Sequence, residues 1–229
     1  MESSSYHSEQ PVSSISTDIR EVLFGDIPLE KIATYAQGIT EDSPWACFAA
    51  AARHKAGRDS AAVNLALQKV LKMRNLEVRI YLQAWDCLRR MGEFPSEEQA
   101  REIQGVVIEV ALERGLDIVV AYADGSAHYI NYSGAAIVWD IQDADIDRMV
   151  GELLAIGQSI VDVTEVWDGP RPPAPPTGIV RISMLTFGGL HLAQGSFAAV
   201  SQDGLGGLAL RSAFDLMQAL VAKVKVRNA

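Results

Sequence analysis

The segment Gly105–Asp140, GVVIEVALERGLDIVVAYADGSAHYINYSGAAIVWD, is the most apolar part of the chain and the richest in β-branched and aromatic residues. Turn signals cut it cleanly, which predicts an antiparallel meander of four strands. Val106, Ile108, Val110 and Leu112 alternate onto one face of the first strand, with Val107, Glu109 and Ala111 on the other. Glu113-Arg114-Gly115 reads as a three-residue loop with glycine at the left-handed position. That loop carries Leu116, Ile118, Val120 and Tyr122 onto the inner face. Asp124-Gly125 is the strongest hairpin signal in the chain. A two-residue turn there opposes Ala123 to Ser126 and sends Tyr129 and Asn131 to the face of Tyr122. A type I turn with a bulge opposes Tyr122 to Ser126 and sends His128, Ile130 and Tyr132 there instead. The second register is favoured, because it buries Ile130 and leaves Asn131 wet. Ser133-Gly134 then turns the chain into a last strand, Ala135–Trp139.

Helical sequence lies upstream. Asp18 starts a short turn through Leu23, and Pro28 opens a helix that Gly38 ends. Ser43-Pro44 is an N-cap followed by proline at the first helical position, and Gly57 stops that helix. Asp59 or Ser60 caps the next, with Val63, Leu67, Val70 and Leu71 on its buried face. A third long helix covers about Glu77–Met91, and Ser96 with Gln99 forms a capping box for a short one. Cys47 and Cys87 fall on apolar helical stripes and read as reduced core thiols.

Downstream, Asp143 or Asp145 caps a long amphipathic helix to about Val161, and Leu210, Phe214, Met217, Val221 and Val224 mark a final helix. Between them, PRPPAPPTG at Pro170–Gly178 holds five of the nine prolines and predicts an extended, stiff spacer. Ile179–Thr186 and Leu190–Gln194 form a hairpin, and Gly204, Gly206 and Gly207 mark a loop before the last helix. The sequence therefore predicts an α+β protein. A disordered tail over 1–16 precedes an N-terminal helical bundle over 17–104. An antiparallel sheet domain, ordered ββββ-α-ββ-α, follows over 105–229, with helices packed on one face. No family is identified.

The formal charge is −9, and it is uneven. Residues 17–104 hold 12 Lys+Arg against 13 Asp+Glu, whereas residues 105–229 hold 8 against 14. An acidic C-terminal half argues against nucleic acid, since phosphate neutralisation needs clustered cations. No run of about 18 apolar residues is present, so no membrane span is expected. The N-terminus lacks the basic and apolar regions of a secretory signal, which makes the cytoplasm the expected compartment.

The usual chemical signatures fail on spacing. There is no P-loop, no Gly-x-Ser-x-Gly elbow and no metal-binding His pair. A calcium loop begun at Asp143 needs glycine sixth and glutamate twelfth, where Arg148 and Leu154 stand; N-capping explains these acids. No cofactor or metal is expected. What remains is a surface: Asp124, His128, Tyr129, Asn131, Tyr132 and Trp139 crowd one hairpin and its neighbour, and His191 lies on a second hairpin where it could meet His128. These seven are the candidate binding residues. The leading expectation is a non-catalytic protein-binding or adaptor protein with an acidic, aromatic-bearing surface, a basic protein being the charge-complementary partner. The alternative is a small-molecule sensor with a sheet–helix pocket lined by Tyr122, His128, Trp139 or His191. A third is an enzyme with dispersed residues, drawn from His128, His191, Asp117 and Asp124.

Overall fold

A glutamate sits at the centre of the sheet. Strand β1 (Ile103–Leu112) carries Glu109 and pairs on one side with β2 (Gly115–Tyr122), on the other with β5 (Ile179–Thr186). With β3 (Ala127–Ile130), β4 (Ala136–Trp139) and β6 (Gly189–Ser196) it makes an antiparallel sheet of order β4-β3-β2-β1-β5-β6. The computed structural model describes residues 17–35 and 43–227. The tail over 1–16 and the helix stop at Gly38 lie outside them. The fold is α+β, and its C-terminal half has the expected order with one short helix, Phe197–Gln202, added before the last.

The register corrects one expectation. Leu112 faces Gly115, so the first hairpin turns in two residues, Glu113 and Arg114, and the three-residue loop does not form. A shift of one residue exchanges every side chain between faces. Leu116, Ile118, Val120 and Tyr122 therefore lie with Val107 and Ala111, while Val119 and Ala121 join Val106 and Ile108. The second hairpin keeps the favoured register: Tyr122 N donates to Ser126 O at 2.9 Å and Gly125 N to Tyr122 O at 3.0 Å. Gly125 has φ +85°, the left-handed position of a bulged type I turn.

Both faces are covered. Helices α7 (Ala144–Val163) and α9 (Gly204–Arg227) pack on the Val106 and Ile108 face, with the short α8 (Phe197–Gln202) beside them. Asp143 caps α7 as its sequence suggests, accepting from the Asp145 and Ile146 amides, and Lys223 of α9 grips the same carboxylate at 2.7 Å. A Cβ on Gly157 of α7 would stand 2.5 Å from Val106, so glycine permits this close helix–sheet approach. The expected glycine-marked loop is instead the start of α9: Gly204, Gly206 and Gly207 are helical, and Asp203 Oδ1 accepts from Gly206 N at 2.6 Å. By length and composition α9 is the one described helix apolar enough to cross a membrane; its Ala209, Ala213, Leu216 and Leu220 are buried, as in a core helix.

The opposite face holds Val107, Ile118, Val120, Tyr122 and Leu185 under α1 (Thr17–Phe24) and α5 (Val78–Arg89). α5 is apolar on two sides. Val78 and Leu82 meet the sheet, while Ala84, Cys87 and Leu88 meet α2 (Leu29–Tyr35), α3 (Pro44–Ala56) and α4 (Ser60–Lys72). Ser43 and Asp59 cap α3 and α4 as expected, and Ser96 caps α6 (Glu97–Arg101). Buried Gln83 clamps the backbone of Ile27, accepting from its N–H and donating to its carbonyl. Cys47 and Cys87 are free thiols, and burial pushes Cys87 up to about 11.

One polar cluster ties this face together. Glu109 is fully buried and takes two bonds from Arg20 of α1, at 2.6 and 3.1 Å. Arg181 of β5 stands 3.8 Å from the same carboxylate, bonds Gln194 and donates to Pro173 O. Arg20 also donates to Pro172 O. The proline segment is thus a strap fastened over α1 and β5. A buried charge stripped of its partner costs several kcal/mol. Glu109→Ala and Arg20→Ala are each expected to lower unfolding free energy by about 3–5 kcal/mol, measured by denaturant titration. Because the pair acts as a unit, the double variant loses less than the sum of the two.

Candidate functional site

The seven residues singled out from sequence divide into separate environments. Asp124 is a cap in trans: its Oδ2 accepts from Val78 N at 2.8 Å, at the start of α5, where Glu77 supplies no side-chain cap. Its Oδ1 closes the turn on Ser126. His128 is buried beneath α5, its ring edge-on to Tyr122 with centroids 5.6 Å apart. Burial, aided by the nearby Arg79 guanidinium, pushes its pKa down to about 4 and keeps the imidazole neutral. Tyr129 projects from the other face. Its hydroxyl donates to Asp117 at 3.3 Å, and burial beside that carboxylate pushes it up to about 12. Asn131 forms the next turn, accepting from Ser133 and Ala135. Tyr132 is exposed under Arg114. Trp139 is buried in the α9 core, its ring under Arg227.

His191 is fully buried on β6. Thr164 Oγ1 donates to Ile160 O, so it accepts from His191 Nδ1 at 3.1 Å, which leaves Nε2 as a bare acceptor. Burial lowers its pKa. His128 and His191 do not meet. Four strand positions separate them, roughly 19 Å, and they point to opposite faces. Asp117 and Asp124 stand at opposite ends of β2, so the four residues of the enzymatic reading do not converge. No group of three His, Cys, Asp or Glu is placed to hold a metal among the described residues.

Two concavities were not legible in the sequence. The larger, about 980 Å³, lies between α1, α5, the strap and the β5–β6 turn. Its apolar wall is Phe24, Leu82, Leu185 and Leu190, and Phe94, Val166 and Trp167 stand at its exposed mouth. Most of its charges are already paired, exposed Asp168 excepted. Arg171 binds Asp26 at 2.5 and 3.0 Å and stacks on Phe24 at 4.5 Å. Asp86 holds Arg89 and Arg90, and burial raises its pKa against their pull. Trp167 is fixed at both ends, its backbone N–H donating to Leu190 O and its indole to Pro170 O. These residues lie up to 170 positions apart, from Arg20 to Leu190, so no local motif announces them.

The second concavity is an apolar groove of about 610 Å³ between α8, α9 and the sheet, floored by Ile108, Val110 and Val119. Of the seven candidates only Tyr129 lines it, and none lines the cleft. Neither concavity is lined by Tyr122, His128, Trp139 or His191. Comparison with known protein families, curated proteins and solved structures returns no match.

The buried histidine gives a pH signature. The folded value of His128 lies below its ordinary 6.5, so the unfolded chain binds the proton first as pH falls. Stability is complete above about 6.5 and declines toward pH 4, by up to roughly 3 kcal/mol from this residue. His191 shifts in the same direction and adds to the slope. Denaturation midpoints measured across this range are expected to fall, and His128→Leu is expected to flatten part of that fall.

Proposed function

We propose that this is a non-catalytic, cytoplasmic binding or adaptor protein that receives a segment of a protein partner in the cleft between α1, α5 and the strap. One observation carries the reading: exposed aromatics share one cleft with arginines held by ion pairs. Phe94 is 67% exposed and Trp167 45% exposed, beside an apolar wall they do not fill. Trp and Arg dominate binding hot spots, and a side chain fixed before binding loses little entropy on contact. The ion pairs of Asp26, Asp86 and their arginines limit the polar cost of covering the cleft, leaving Asp168 at the rim as the carboxylate a basic segment would meet. The net charge of −9 favours encounter with a basic partner, a gain in association rate more than in affinity.

A small-molecule sensor is the second reading. The cleft's volume of about 980 Å³ supports it, standing at the upper end of the ~300–1,000 Å³ range of ligand pockets.

Full-length protein used as bait in its native host is expected to retain one partner reproducibly. Phe94→Ala combined with Trp167→Ala is expected to weaken that partner's affinity by about 30-fold, the cost of losing a hot spot of roughly 2 kcal/mol. Tyr132→Ala, also exposed but outside the cleft, leaves it unchanged. Retention that is indifferent to the cleft double variant rejects the site. A small molecule that co-purifies and is lost with the same variant supports the sensor reading instead.

A further inference from the structure

We propose that the exposed ridge of α9 is a two-fold interface between copies of this chain. The ridge lies on the sheet face opposite the cleft, so the inference goes beyond the partner reading. Gly204, Leu208, Arg211, Asp215, Gln218 and Ala222 are all exposed, at alternating spacings of four and three residues. That spacing keeps them on one side of the helix, as in a helix–helix seam. Two of them are charged and unused. Arg211 and Asp215 are one turn apart, and neither makes a hydrogen bond or ion pair within the described residues. Elsewhere α9 does use its charge, since Lys223 is held by Asp143 and Asp145.

The order of residues along the ridge is self-complementary. Two antiparallel copies of α9 crossing at Ala213 set Arg211 against Asp215 twice, once on each side of the axis. Leu208 then meets the aliphatic stem of Gln218, and Gly204 meets Ala222. A two-fold contact requires this reciprocity, in which residue i meets j and j meets i. The Gly204–Ala222 pairs are small on both sides, which lets the helices approach at the two ends of the ridge. Phe214, 54% exposed, borders the apolar groove together with Phe197, 56% exposed. Bringing a second Phe214 across the axis covers the mouth of that groove. An occupant with a long basic segment fits less well, because the ridge carries one cation beside its one anion and offers no net charge.

The test is sedimentation equilibrium of the full chain. At an ionic strength of ~0.05 M the wild type is expected as a dimer, twice its 24.8 kDa mass, weakening toward ~0.5 M as salt screens the pairs. Arg211→Asp and Asp215→Arg are each expected to raise the dissociation constant at least about tenfold by opposing like charges. Combining Arg211→Asp with Asp215→Arg restores the pairing in reverse and recovers the dimer. That recovery also establishes that both substitutions are tolerated by the fold. Phe94→Ala with Trp167→Ala leaves the dimer intact, which separates this interface from the cleft. A monomer at every concentration overturns the proposal. A dimer indifferent to both single reversals, or a double reversal that stays monomeric, overturns it equally.

Discussion

A carboxylate on the central strand of a sheet, with no access to water, has to be answered by cations from within the protein. Glu109 is that group, and the answer comes from both sides of it: Arg20 from the first helix and Arg181 from the neighbouring strand. An apolar pair in the same space would hold as well or better. What the ionic cluster adds is direction. It accepts only an arrangement in which α1 crosses β1 with Arg20 inward, and in which the carbonyls of Pro172 and Pro173 come down on the two guanidiniums.

From that cluster the cleft follows. The strap leaves α7, crosses the end of β6, and is fixed on α1 before β5 begins. α5 supplies the remaining wall because it is apolar on two sides and cannot be buried by the sheet alone. The cleft is the space left where these rigid pieces meet without filling the corner. Its floor belongs to the sheet, its lip to the strap and its far side to a helix, a frequent origin of binding sites at the junction of packed units.

The meander was legible because strand alternation and turn chemistry are local. Asp124-Gly125 carried its own register, and Ser43, Asp59 and Asp143 announced their helices. The first hairpin misled because Glu113-Arg114-Gly115 is compatible with two loop lengths, and the choice between them is made by burial on both faces. Gly204 to Gly207 misled for a related reason: glycine weakens a helix locally, yet Asp203 caps this one and tertiary packing holds it. The aromatic residues of the hairpin were visible, but their allocation to core, turn and surface depended on partners far along the chain. Trp167 and Phe94 were passed over because each lies in a loop with no periodic pattern, and only the fold brings them to one opening.

The partners of α1 and of the turn that follows it have a temporal meaning. Arg20, Leu23 and Asp26 bond with Glu109, Tyr122, Pro172 and Arg171, between 89 and 152 residues later. A helix of eight residues does not persist alone in water. At ribosomal rates of ~5–20 residues per second, roughly 8–30 s pass between the appearance of Arg20 and that of the strap it must meet. α1 is thus made long before the partners that secure it. Through that interval the nascent chain presents an amphipathic helix-forming sequence and an uncovered apolar sheet face, and the cleft comes into being only once β6 has been made.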